Sequence, residues 1–271
     1  MIQEEITPIV EYKNILLKRD DFFICGNVNG GKLRQAIALI EKNLDLIKEK
    51  YNSTIVCPCS IKSPQSAIIS EVCKKYNLRC LIVCYKTDKP NKNLSIAQDN
   101  DAILVGTNSG YTSVIEGNAK KQKGFFINMG FNAEEIINSN VSQVKNIPNN
   151  LNYLVVPVGS AMNFISILIG LTKYNKNPEK IIGVYVGKDP KPTLKKYAHL
   201  IKKEYTLIKS DYSYGKEINI DDYFFDPIYE AKAYDWIKKN IDVNNNRVLM
   251  WVIGKRNLTY KLTKIKWTKI Y

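Results

Sequence analysis

The chain has 271 residues, 40 of them Lys or Arg against 26 Asp or Glu, for a formal net charge of +14. A hydrophobic content of 45% excludes a disordered chain, and no apolar run reaches the roughly 20 residues that cross a bilayer. The acidic opening Met1–Glu5 lacks the basic-then-apolar pattern of a signal peptide, so the expectation is a soluble cytoplasmic protein, or one of the host cytoplasm if the source is viral.

In chain order, apolar residues at 33, 36, 37, 39, 40, 44 and 47 form one stripe and predict a helix over 33–47. β-Branched apolar runs predict strands at 54–57, 80–84, 102–105, 125–127, 154–158, 181–186 and 248–253. Between them, helical spacing predicts helices at 66–76, 133–138, 161–174, 192–203 and 228–239. Polar loops are plainest at 86–93 and 146–152. Continuous apolar strands alternating with helices predict an α/β fold, with parallel sheets flanked by helices.

Cysteines at 25, 57, 59, 73, 80 and 84 lie in the first third, with His199 the sole histidine. Cys57-Pro58-Cys59 has the wrong spacing for zinc, so no metal site is expected. The six are read as reduced thiols, Cys59 being the one to watch. The positive charge is consistent with contacts to nucleic-acid phosphates. Spread pairs such as Lys74-Lys75 and Lys202-Lys203 suit solvated helix faces better than a binding groove, in a chain rich in Lys, Asn, Ile and Tyr, and a nucleic-acid contact stays open.

Two turns carry chemistry. Asn29-Gly30-Gly31-Lys32 opens a helix, and Val158-Gly159-Ser160-Ala161-Met162-Asn163 joins a strand to a helix. Small residues at a helix start offer backbone N–H groups to an anion. Neither turn is a nucleotide-triphosphate loop, and no Gly-x-Gly-x-x-Gly follows a strand. A lysine behind two glycines at the head of an apolar helix is a candidate nucleophile if its surroundings are dry. Taken alone, it reads rather as a surface lysine near a helix start.

Together, Thr7-Pro8-Ile9, Leu17-Lys18-Arg19-Asp20-Asp21 and Gly30-Gly31-Lys32-Leu33-Arg34 resemble the opening of the aminocyclopropane-carboxylate deaminase and D-cysteine desulfhydrase family, pyridoxal-phosphate enzymes of the tryptophan-synthase-β-like fold. Ser60–Ala67 resembles that family's Gly-Gly-x-Gln-Ser-Asn-His/Gln segment. Val158–Ala161 resembles its phosphate turn, Tyr214-Gly215 its tyrosine–glycine pair, and Asp226–Lys232 its Asp-Pro-Val-Tyr-Glu-Gly-Lys signature.

The resemblance implies a two-lobed fold, with a larger cofactor-binding lobe over 1–49 and 148–271 and a smaller lobe over 50–147. It implies that Lys32 forms the Schiff base with pyridoxal 5′-phosphate and shuttles the Cα proton. Gly159, Ser160, Ala161, Met162 and Asn163 would bind the cofactor phosphate, and Glu230 would face the pyridine nitrogen. Ser63 would bind the substrate carboxylate or assist proton transfer, while Tyr214 and Tyr229 would act beside the substrate. A homodimer is also implied.

Departures are equally visible. Pro64 replaces an asparagine, Gly31 stands where an asparagine usually precedes the lysine, and Ala161-Met162-Asn163 replaces Gly-Gly-Thr. Trp251–Arg256 replaces a His-Thr/Leu-Gly-Gly segment. The expected activity is carbanion chemistry at the Cα of a small amino acid, lyase- or deaminase-like. One alternative is the same chemistry on an amino acid attached to a nucleic-acid base, as in viral DNA hypermodification, motivated by the +14 charge and Lys255-Arg256. Another is a cofactor-free binding protein that keeps the fold.

Overall fold

The computed structural model describes residues 5–89, 91–220, 225–255 and 260–268. In chain order the strands are β1 (Ile9–Tyr12), β2 (Ile15–Arg19), β3 (Ile24–Cys25), β4 (Val28–Asn29), β5 (Thr54–Pro58), β6 (Arg79–Tyr85), β7 (Ile103–Thr107), β8 (Phe125–Phe126), β9 (Tyr153–Val158), β10 (Lys180–Tyr185), β11 (Thr206–Lys209) and β12 (Val248–Val252). The helices are α1 (Gly31–Lys42), α2 (Leu44–Lys50), α3 (Gln65–Lys75), α4 (Lys92–Asp99), α5 (Thr112–Lys120), α6 (Met162–Lys173), α7 (Lys191–Lys196) and α8 (Glu230–Asn240).

The described residues fall into two compact units, those of 1–23, 29–34 and 136–255, and those of 24–28, 35–135 and 256–271. The first holds a six-stranded sheet in the order β1-β2-β12-β9-β10-β11. All neighbours in it are parallel except β1 and β2. That hairpin departs from the all-parallel expectation because Lys13 and Asn14 both take positive φ, 47° and 62°, as a two-residue turn requires. Ile15, Leu17, Val155, Val184 and Met250 pack there with Ala233, Tyr234 and Ile237 of α8. The second unit holds four parallel strands, β7-β6-β5-β8.

Unit boundaries differ from lobes placed at 50 and 147. Gln143 and Asn146 belong with the first unit because Gln143 Oε1 accepts from Thr7 N at 3.0 Å and Asn146 Nδ2 donates to Thr7 O at 2.9 Å. Residues 260–268 belong with the second, where Thr268 bridges to Val105. The helix expected over 33–47 breaks at Asn43, whose Nδ2 back-bonds to Leu39 O. The expected helix at 133–138 is instead a 3-10 segment, Glu134–Val144. The expected loop 86–93 already contains the start of α4, capped by Asn91.

A buried polar cluster supports β2. Lys18 Nζ donates to Thr7 O (2.6 Å) and Asn146 Oδ1 (2.8 Å), while Asp20 accepts from Thr7 Oγ1 (2.7 Å) and Trp251 Nε1 (2.7 Å). Burial lowers the Lys18 pKa to about 8, only partly opposed by Asp20. Between about pH 8 and 10.5 the unfolded chain therefore binds more protons at this site than the folded one, so this group's contribution to stability rises with pH. The expected result is an unfolding free energy of the natural chain, relative to Lys18→Met, that increases across that window. Paired urea titrations at pH 7.5, 9 and 10.5 measure it.

Candidate active site

Parallel α/β sheets deliver functional loops at the carboxyl ends of their strands. In the first unit β9, β10 and β12 end at Val158, Tyr185 and Val252, and most of the residues singled out above follow these ends. Lys32 is the second residue of α1 and is half-buried. Its turn is fastened to the segment after β12. Gly31 N donates to Ile253 O at 2.8 Å, Asn29 Nδ2 donates to Lys255 O at 2.8 Å, and Lys255 N donates to Asn29 Oδ1 at 2.7 Å. Gly30 makes this approach possible, because at φ +94° a Cβ there would lie 2.2 Å from Ile253 O.

The turn after β9 places Ala161 at φ +70°, a left-handed position that suits glycine, and starts α6 with no side-chain cap. The first N–H groups of that helix have no intrahelical acceptor, as at any helix start. Asn163 follows in the first turn, nearly buried. Asn140, from the 3-10 segment, donates Nδ2 to both Gly31 O (3.2 Å) and Asn163 Oδ1 (2.6 Å). A carbonyl accepts only a donor, so Gly31 O fixes the Asn140 amide, and Asn140 in turn fixes Asn163 with its oxygen inward. Asn140 Oδ1 is left buried without a hydrogen-bond partner.

A Cβ on Gly31 would lie 3.0 Å from Asn163 Oδ1 and 3.4 Å from Asn140 Nδ2. Two amides from other elements thus fill the space that an asparagine at 31 would need, which accounts for the glycine. An uncapped helix start with an amide in its first turn offers hydrogen-bond donors that fit a phosphate-bearing group.

Glu230 opens α8 fully buried, and its Oε1 accepts from Ile253 N (3.0 Å) and Gly254 N (3.2 Å). Burial, reinforced by the nearby Asp226, pushes its carboxyl well above the usual range, against the pull of those N–H groups. Asp226 Oδ1 accepts from Ile228 N and Tyr229 N, which sets the start of the helix. Tyr229 lies over the β9 turn, with its Cε1 3.0 Å from where a Gly159 Cβ would be. Tyr214 packs against Gly187 after β10, edge-on to Tyr229 at 6.1 Å between ring centres.

The first unit therefore brings together Lys32, Gly159, Ser160, Ala161, Met162, Asn163, Tyr214, Tyr229 and Glu230. Ser63 lies in the second unit. Its Oγ accepts from Gln65 N at 3.3 Å, just before α3, whose N-cap is Pro64 at φ −69°. Proline suits that position, so Pro64 starts a regular helix. The Cys59 thiol is buried and pushed up by its hydrogen bond with Cys84 and by burial, so it is no thiolate nucleophile. Arg256 lies outside the described residues. Sequence reasoning missed Asn140, Asn29 and the Gly30–Ile253 contact, since each depends on a partner more than 100 residues away.

Parallel strands with flanking helices, and glycine-containing turns at helix starts beyond the strand ends, are the architecture of α/β enzymes in which the protein positions an organic cofactor. The profile of the pyridoxal-phosphate dependent enzyme family matches residues 2–248, and the chain belongs to that family. Its cofactor is pyridoxal 5′-phosphate. The chain is similar to the crystal structure of an ACC deaminase homologue (17% identity, TM-score 0.79, covering 94% of this chain and 90% of that one). It is also similar to an O-acetylserine dependent cystathionine β-synthase from Helicobacter pylori (15% identity, TM-score 0.65, covering 97% and 98%). A curated relative, the O-seryl-dTMP PLP-dependent decarboxylase of Salmonella phage ViI, is 25% identical over 246 residues, 76% of this chain and 57% of that protein. The chain thus spans little more than half of that relative's length. Among the described residues no helix is long and apolar enough to cross a membrane.

Proposed function

We propose that this enzyme breaks a bond at the Cα of an amino-acid group carried by a pyrimidine nucleotide or a nucleic-acid base, with loss of the α-carboxylate as the favoured outcome. The observation that carries the reading is Lys255, a cation held through its own main chain by Asn29 at the turn that bears Lys32. Its side chain is exposed and starts from the turn that bears Lys32; a substrate that carries a phosphate can use such a cation, whereas a free small amino acid needs only its α-carboxylate bound. The phage relative's printed activity on O-seryl-dTMP supports the same substrate class.

The cofactor supplies an electron sink for the carbanion formed at Cα. Lys32 holds it and moves the proton at Cα. The N–H groups that open α6 and the amide of Asn163 hold the phosphate. Glu230, biased towards its protonated form, would face the cofactor's ring nitrogen and could share a proton with it. Tyr229 and Tyr214 would shield the carbanion from water. In the favoured outcome the Cα–carboxylate bond breaks, carbon dioxide leaves, and a protonated Lys32 would deliver to Cα the proton that takes its place.

The test is turnover of the cofactor-loaded protein on O-seryl-dTMP against free serine, with carbon dioxide and product masses measured. The expected result is carbon dioxide from the nucleotide substrate only, and a KM about tenfold higher for Lys255→Ala with kcat little changed, the loss of about one charge-assisted contact. Turnover of free amino acids alone would favour the lyase- or deaminase-like reading, to which the Ser60–Ala67 segment points.

A further inference from the structure

We propose that the second unit carries a contact surface for single-stranded nucleic acid, formed by residues 260–268 and the loops that close β6 and β7. The inference rests on the nucleotide-borne substrate proposed above.

Residues 263–268 run extended and are held through their main chain. Thr263 N donates to Ser95 Oγ (3.0 Å), and Thr268 N donates to Leu104 O (2.8 Å). Gln98 imitates a strand partner: its Nε2 donates to Lys264 O at 3.1 Å while its Oε1 accepts from Lys266 N at 2.7 Å. Extended backbone sends alternate side chains to opposite sides. Thr263, Ile265 and Trp267 are accordingly half-buried, while Lys264 and Lys266 stand exposed. Trp267 Nε1 donates to Thr87 O, and its ring shares the space beside Gly106 with the stem of Lys86.

Lys86 is exposed on the loop after β6, next to Tyr85, which is 41% exposed. Tyr85 packs against Gly110, and the following residue, Tyr111, is 78% exposed. Residues 260–268 carry three lysines and no acid, and the nearby Asp99 is engaged by Tyr260 Oη at 2.7 Å. Asp88 is the one carboxylate in the loop 86–89. Phenol rings left in water do nothing for the core, but they provide stacking faces for unpaired bases. Lysines on a strand already fixed by Gln98 meet phosphates with little further ordering. Duplex DNA keeps its base faces stacked on one another and cannot use the tyrosines, so the single strand is the partner this chemistry fits.

The experiment is fluorescence anisotropy of the cofactor-loaded full chain with a labelled oligothymidylate of about 16 nucleotides, a single-strand site length, titrated over a range of salt. Cofactor absorbance and Tm serve as folding controls. With Lys86, Lys264 and Lys266 on phosphates, the slope of log affinity against log salt should be about −2, and the Lys264→Glu/Lys266→Glu double variant should reduce its magnitude by about 1.4. Tyr111→Ala should weaken binding about tenfold at unchanged slope, and a duplex of equal length should bind more weakly. Absence of binding by the natural chain, an unaltered double variant, or tight duplex binding indifferent to Tyr111→Ala would each overturn the proposal. If O-seryl-dTMP is decarboxylated while the oligonucleotide does not bind, this surface falls and the proposed function stands. Binding as expected without turnover of any nucleotide-borne amino acid would leave the surface and overturn the function.

Discussion

Replacing Lys32 with alanine is expected to lower turnover by about 10³-fold or more and to leave the protein unable to hold pyridoxal phosphate covalently, with its fold intact. The scale is that of losing a positioned acid–base group, and loss of the anchor adds to it. Fold retention follows from the position. Lys32 is half-buried at the second residue of α1, while the turn around it is held by the main chains of Gly31 and Ile253 and by Asn29. Lys32→Arg should be equally inactive, since a guanidinium keeps its charge and does not form an imine. Steady-state rates, the absorbance of bound cofactor and the unfolding midpoint measured on one preparation separate chemistry from stability.

The second large effect belongs to Gly30. An alanine there meets Ile253 O at 2.2 Å and Gly254 Cα at 2.8 Å, both main-chain atoms that cannot swing aside, at φ +94°. Left-handed strain and overpacking together should cost about 2–5 kcal/mol. The displaced segment is also the one whose N–H groups bind Glu230, so cofactor affinity should fall with stability. Gly254→Ala is the control. Its Cβ would meet Asn29 Oδ1 at 3.5 Å, an ordinary contact, and urea unfolding should show little change.

How much was legible in the sequence follows from how local each signal is. The seven expected strands announce themselves as continuous apolar runs, because a sheet covered on both faces needs nothing else from its sequence. The β1–β2 hairpin was not legible. Its turn is Lys13-Asn14, without the glycine that normally marks such a connection. Lys32, Glu230 and Tyr229 sit in motifs with recognisable neighbours, so a one-dimensional reading can single them out as candidates. Asn140 has no motif at all. Its importance comes from bonding Gly31 O and Asn163 Oδ1 at once, and only folding brings those together. The same amide pair explains why Gly31 and Asn163 depart from the resembled family: the bulk removed at one position is restored from two others. The unit edges lie elsewhere than the expected lobe edges for a related reason, since Thr7 and Val105 recruit segments far along the chain.

The measurement that tests the central claim most directly is borohydride reduction of the protein loaded with pyridoxal phosphate, followed by peptide mass mapping. Reduction locks the cofactor to whichever amine holds it. The account predicts a phosphopyridoxyl group on the peptide containing Lys32 and on no other. A label on a different lysine, or one scattered over the surface lysines, would contradict it.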